Sequence, residues 1–130
     1  MSNRRKPGIR GDYRSEFLHS PAWLARRARW FRKQERLGRP LACAGCGQAA
    51  RMTELELHHL DYSGVKSRDG SWRAFERHDD LQPLHAFCHS ALHRIIEHDR
   101  VLSYHRSRRV ASAMALKILR SRFVGHEETP

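Results

Sequence analysis

Apolar residues recur with a helical period towards both ends of this chain and with a strand period in its middle. After Ser20-Pro21, the residues Trp23, Leu24, Trp30, Phe31 and Leu37 form a stripe on one helical face. Serine is a good helix cap and proline suits a first turn, so a helix is predicted over 20–37, stopped by Gly38. Thr53-Glu-Leu-Glu-Leu-His-His59 alternates polar and apolar residues and predicts a strand. Leu81 to Leu84 predicts a short second strand with Pro83 near its end. A helix starting near Cys88 or Ser90 would bury Leu92, Ile95 and Ile96. Over 107–123 another helix is predicted, with Val110, Met114, Ile118 and the alanines on its packing side. Residues 60–79, with Gly64 and Gly70, read as a long loop. Residues 1–12, with Pro7, Gly8 and Gly11, read as a mobile arm that either contacts phosphates or has no role.

Charge follows the same division. The formal net charge is +11. Residues 1–39 carry 12 Lys/Arg against 3 Asp/Glu, residues 40–99 carry 6 against 9, and residues 100–130 carry 7 against 2. Basic flanks around an acidic, histidine-rich middle imply a polyanionic partner, most often nucleic acid. Arg26, Arg29, Lys33 and Arg36 share one face of the predicted helix, where Glu35 is the only acid, and are candidate phosphate contacts. In the long loop, Lys66, Arg68 and Arg73, with Tyr62 and Trp72, are further candidates.

At 130 residues the chain reads as one domain: a basic arm (1–19), a basic helix (20–39), a central core (40–99) and a basic helical segment (100–130). A 39% hydrophobic content is lean, and a structural metal would reinforce so small a core. Three cysteines exclude a complete disulfide framework. No apolar stretch follows the basic N-terminus and none approaches a membrane span, so a cytoplasmic protein without a membrane partner is expected.

The cysteines and histidines have metal-ligand spacing. Cys43-Ala-Gly-Cys46 is a zinc-knuckle pair, and His85-x-x-Cys88 supplies a second half. Gly45 and Gly47 suit its tight turn. The alternative is that His85 points away, leaving three ligands or an empty site. A redox role for Cys-x-x-Cys lacks the βαβ pattern that accompanies it. His89 and His93, four apart, leave the same face of a helix. His58 and His59 are adjacent in a strand, so their rings diverge: one can hold a metal while the other takes a proton. Glu56 shares strand parity with His58 and reads as solvent-facing, the alternative being that it orients an arginine near the metal. His19, His78, His98, His105 and His126 have no spacing partner and read as surface residues.

Together, Leu55 to His59 and Asp80 to His93 resemble the HNH endonuclease family over roughly Ala42 to His98. The resemblance implies an α+β fold with a small ββα-metal core and zinc knuckle, flanked by basic N- and C-terminal helices. It implies metal-dependent DNA hydrolysis giving 5′-phosphate and 3′-hydroxyl ends. His58, His89 and His93 would ligate a catalytic divalent cation (Mg²⁺, Mn²⁺, Ni²⁺ or Zn²⁺). His59 would be the general base, and Asp80 would brace its loop or approach the metal. Cys43, Cys46, His85 and Cys88 would hold a structural Zn²⁺. Asp80 stands where the family usually has Asn, and His85 where Cys is usual. Small free-standing members occur in phages and mobile elements, where a protein partner in genome packaging is one context. The competing readings are a zinc-stabilised nucleic-acid-binding protein without cleavage, and a nuclease for RNA or branched substrates.

Overall fold

The computed structural model describes residues 11–127, with side chains over 14–123. Residues 1–10 of the expected basic arm and the side chain of His126 lie outside this range. The elements run α1 (Gly11–Leu18), α2 (Pro21–Arg36), β1 (Leu55–His59), β2 (Val65–Arg68), β3 (Ser71–Ala74), β4 (Leu81–His85), α3 (Ala86–Glu97), α4 (Arg100–Tyr104) and α5 (Arg108–Glu127). This is a small α+β fold with two separate two-stranded antiparallel sheets, β1–β4 and β2–β3.

Helix α2 starts and stops where the sequence places its signals. Ser20 Oγ accepts the Trp23 N–H at 3.2 Å, and Pro21 fills the first turn. At the other end, Gly38 takes φ +66°, its N–H donates to Glu35 O, and the Arg39 N–H donates to Gln34 O. That paired closure satisfies the last carbonyls and needs a residue without a Cβ penalty. Trp23, Trp30 and Phe31 are buried as the stripe predicts, whereas Leu24 and Leu37 are exposed.

Strand β1 pairs with β4 in the register Leu55↔His85 to His59↔Leu81. It is buried from both sides at its C-terminal end. Leu55, Leu57 and His59 share one face, on which Trp23 and Phe17 of the N-terminal helices meet His59. His58 faces α3 and α5 on the other. Helix α3 follows β4 directly, beginning at Ala86 rather than near Cys88. It buries Leu92 fully, while Ile95 and Ile96 are only partly covered.

Three expectations are corrected. Residues 60–79 are not a plain loop but contain the β2–β3 hairpin, turned by Asp69 (φ 52°) and Gly70 (φ 77°). Two successive left-handed residues match the right-handed strand twist, which is why Asp-Gly favours this turn. Residues 11–18, assigned to the basic arm, form α1, whose Phe17 is fully buried against Trp23 and Trp72. The packing side of α5 is Ala111, Ser112, Ala115, Leu116 and Leu119, one position round from the expected stripe; Val110, Met114 and Ile118 are exposed. Small residues let α5 lie close against α3.

Candidate metal centres and their surroundings

Two groups of ligand atoms converge. Cys43, Cys46, His85 and Cys88 offer ligand atoms that all lie within 4.8 Å of one another. The knuckle carrying the first two is closed by an isolated Ala42↔Ala49 bridge and a left-handed Gly47 (φ +79°). Gly45 packs against the other half: a Cβ there would stand 3.0 Å from Cys88 Cβ and 3.1 Å from Leu119. His85 points inward, with Nδ1 3.4 Å from Cys46 Sγ. Cys43 Sγ accepts the backbone N–H groups of Gly45 and His85, each at 3.3 Å. Burial raises the Cys43 thiol, but backbone donors from His85, Cys46 and Gly45 outweigh it and bring its pKa down to about 7. Burial and the neighbouring sulfurs push Cys88 up to about 12. Crowded sulfurs that resist joint ionisation are what a divalent cation relieves. With all four positions supplied by protein, the set suits a closed structural zinc site.

The second group is His58, His89 and His93, again with ligand nitrogens within 4.8 Å. His58 Nδ1 and His93 Nε2 each lie 3.1 Å from His89 Nε2. Two of the outer nitrogens have partners. Glu56 Oε1 lies 2.8 Å from His89 Nδ1, and a carboxylate accepts, so His89 carries its proton there and turns a lone pair inward. His58 Nε2 meets Ser112 Oγ at 2.9 Å. Burial, followed by neighbouring cationic groups, holds His58 well below its ordinary value and His93 down at about 3. Neutral imidazoles 3.1 Å apart fit a shared cation: bonds of about 2.0–2.1 Å at tetrahedral angles put nitrogens about 3.3 Å apart. Glu56, half exposed, therefore orients the His89 ring rather than an arginine.

His59 is not the free imidazole expected. Only 2% exposed, it bonds through Nε2 to Glu76 Oε2 at 2.7 Å. Trp23 (4.7 Å between centroids) and the stacked Tyr62 (4.4 Å) enclose it, with Phe17 at the edge. Burial lowers its pKa, against the opposing pull of Glu76. The His58 and His59 rings do diverge to opposite faces of β1.

Asp80 is buried and belongs to neither ligand group. Its carboxylate pairs with Arg109 of α5, and its backbone carbonyl accepts the Leu60 N–H at 2.7 Å. Next to Arg109, Arg108 donates from Nε to the His59 carbonyl at 2.7 Å and lies 4.7 Å over the Tyr62 ring. Asp80 thus steadies the end of β1 through main chain, and α5 contributes the countercharge.

The candidate nucleic-acid contacts divide. Arg29, Lys33 and Arg36 are exposed on α2, as are Lys66, Arg68 and Arg73 on the hairpin. Arg26 is corrected: at 9% exposure it is buried, and its Nε–H donates to the Glu76 carbonyl at 2.9 Å. Trp72 packs on Phe17 and Tyr62 on His59, so neither ring stands free. His78 is also not a simple surface residue. It stacks on Trp30 (5.0 Å, 13°) and lies 2.6 Å from Gln34 Oε1 through Nε2. His19, His98 and His105 are exposed as expected. The contacts of Glu76, Ser112, Arg108 and Arg109 escaped sequence reasoning, which placed the two arginines on a basic helix face, because their partners are 17 to 54 residues away in the chain.

No family model, curated protein or solved structure matches the chain. Its fold and sites define a small α+β protein with a Cys₃His group placed to bind a metal ion, consistent with structural zinc. Among the described residues, no helix is long and apolar enough to cross a membrane.

Proposed function

We propose that this protein is a metal-dependent endonuclease of the HNH type, acting on DNA. The observation that carries the reading is the contrast between its two ligand groups. One offers four protein ligands, and the other offers three imidazoles, two of them half-buried, so a tetrahedral ion held there would keep one position for water or substrate. Structural sites are closed, whereas catalytic sites keep a position for water or substrate. Succession supports it too: β1 ends in His58-His59, pairs with β4, and leads directly into the helix carrying His89 and His93.

His58, His89 and His93 would hold the catalytic cation, with Glu56 and Ser112 fixing two of the rings. A divalent cation there supplies Lewis-acid stabilisation of phosphorane charge and of the leaving 3′ oxygen. His59, at the same strand end but on the other face, accepts the proton of the attacking water through its imidazole. Because Tyr62 covers that imidazole, its ring must swing aside as substrate enters. Asp80 and Arg108 hold the backbone of Leu60 and His59 during that movement. Arg29, Lys33 and Arg36 on α2, with Lys66, Arg68 and Arg73 on the hairpin, supply phosphate contacts.

Supercoiled plasmid incubated with Mg²⁺, Mn²⁺, Ni²⁺ or Zn²⁺, each against a chelator control, tests the reading. Metal-dependent nicking or linearisation that His89→Ala abolishes is the expected result. Absence of cleavage with all four metals, or cleavage indifferent to His89→Ala, would favour a zinc-stabilised binding protein.

A further inference from the structure

We propose that Glu76 is a positioning residue for His59, selecting the imidazole tautomer in which Nδ1 is the basic atom. The proposal rests on the hydrolytic reading above. The Glu76 side chain is fully buried, and its hydrogen bond is made to His59 Nε2 at 2.7 Å. Its other oxygen, Oε1, has no hydrogen-bond partner among the described residues. Burying a carboxylate is costly, and a half-paired one is worse than an apolar side chain of similar size. Core filling alone does not explain an acid here.

Its chemistry does. An ionised carboxylate only accepts, so the proton of His59 must sit on Nε2. Nδ1 then keeps its lone pair and is the atom that can take a proton. Turning the ring to exchange the two nitrogens would break the Glu76 hydrogen bond, and Trp23 packs against the ring with Phe17 at one edge. Glu76 is itself held in place. Arg26 donates to its carbonyl at 2.9 Å, and the preceding Phe75 N–H donates to Gly64 O at 2.8 Å. The buried Arg26, out of place as a phosphate contact, belongs to this support.

The test is Glu76→Gln, which keeps the volume but offers an amide that can donate to Nε2 and so favour the opposite tautomer. In the metal-loaded protein, ¹⁵N NMR of the His59 ring should show a proton on Nε2 in the wild type. Glu76→Gln should move it towards Nδ1. In plasmid nicking, kcat should fall about 10- to 100-fold while KM and bound metal stay unchanged. A wild-type proton on Nδ1, or a Glu76→Gln variant with wild-type kcat, overturns the proposal. If Glu76→Gln fails to fold, the wild-type tautomer decides alone. If the wild type cleaves no DNA but its Nε2 proton is lost in Glu76→Gln, the hydrolytic reading falls and the positioning of His59 stands.

Discussion

Replacing Cys43 by serine should destabilise the protein, beginning at the knuckle. Cys43 is 2% exposed, and its sulfur accepts two backbone N–H groups while facing Cys46, His85 and Cys88. Serine keeps an acceptor for those amides but is a poor zinc ligand. A structural zinc contributes ~10–16 kcal/mol of apparent folding energy in small domains, so losing one ligand of four forfeits roughly 3–4 kcal/mol. Total stability for a domain is only about 5–15 kcal/mol. The segment is otherwise held by the Ala42↔Ala49 bridge, by Ala44 N–H to Pro83 O and Arg120 to Ala44 O, and by partly buried Leu41, Ala44 and Ala50 against the core. At this length about 3–5 °C accompanies each kcal/mol, so the melting temperature should fall roughly 10–20 °C. Circular dichroism melts beside zinc content measure both quantities, and chelator treatment of the wild type should reproduce the variant. A Cys43→Ser protein that kept its zinc and melted within about 2 °C of wild type would refute the four-ligand assignment.

Other outcomes follow from the same geometry. His59→Ala should lose about 10²- to 10⁴-fold in nicking rate while keeping its metal, whereas His89→Ala should lose both, as metal analysis beside the nicking assay will show. Arg29→Ala with Lys33→Ala should flatten the salt dependence of DNA binding by a slope of roughly one per lost contact. Arg26→Ala should leave that slope alone and instead lower stability by about 1–3 kcal/mol in denaturant titration, since it orphans a buried carbonyl. Glu56→Gln should weaken metal binding at the histidine group by about tenfold in chelator competition, the low end of such effects because the glutamate is half exposed. Gly64→Ala should destabilise the protein by about 1–3 kcal/mol, because a Cβ there would stand 2.6 Å from the Phe75 backbone.

Local signals carried the reading where the physics is local. Ser20-Pro21 and Gly38 mark the bounds of α2 through hydrogen bonds made within a few residues. The four-residue spacing of His89 and His93 places both on one helical face in any fold. The outward Glu56 between buried Leu55 and Leu57 follows from strand alternation, which then breaks because both His58 and His59 are buried by different helices. Asp69-Gly70 was a usable hairpin signal, masked by flanking strands too polar to show a period. The α5 register was missed because Val110, Met114 and Ile118 are the larger apolar residues, while close approach to α3 favours alanine and serine. Glu76 and Ser112 have no local signature, since burial and a distant imidazole give them their roles.

The first turns of α5 send Arg108 to the His59 carbonyl, Arg109 to Asp80 and Ser112 to His58. A fragment ending at Ser107 would contain every cysteine and histidine of the two ligand groups. It would still leave Asp80 without its countercharge, His58 Nε2 without its hydroxyl and the His59 carbonyl without its donor. Possessing the parts and possessing the assembled centre are thus separable, and the boundary between them falls within five residues that carry no metal ligand.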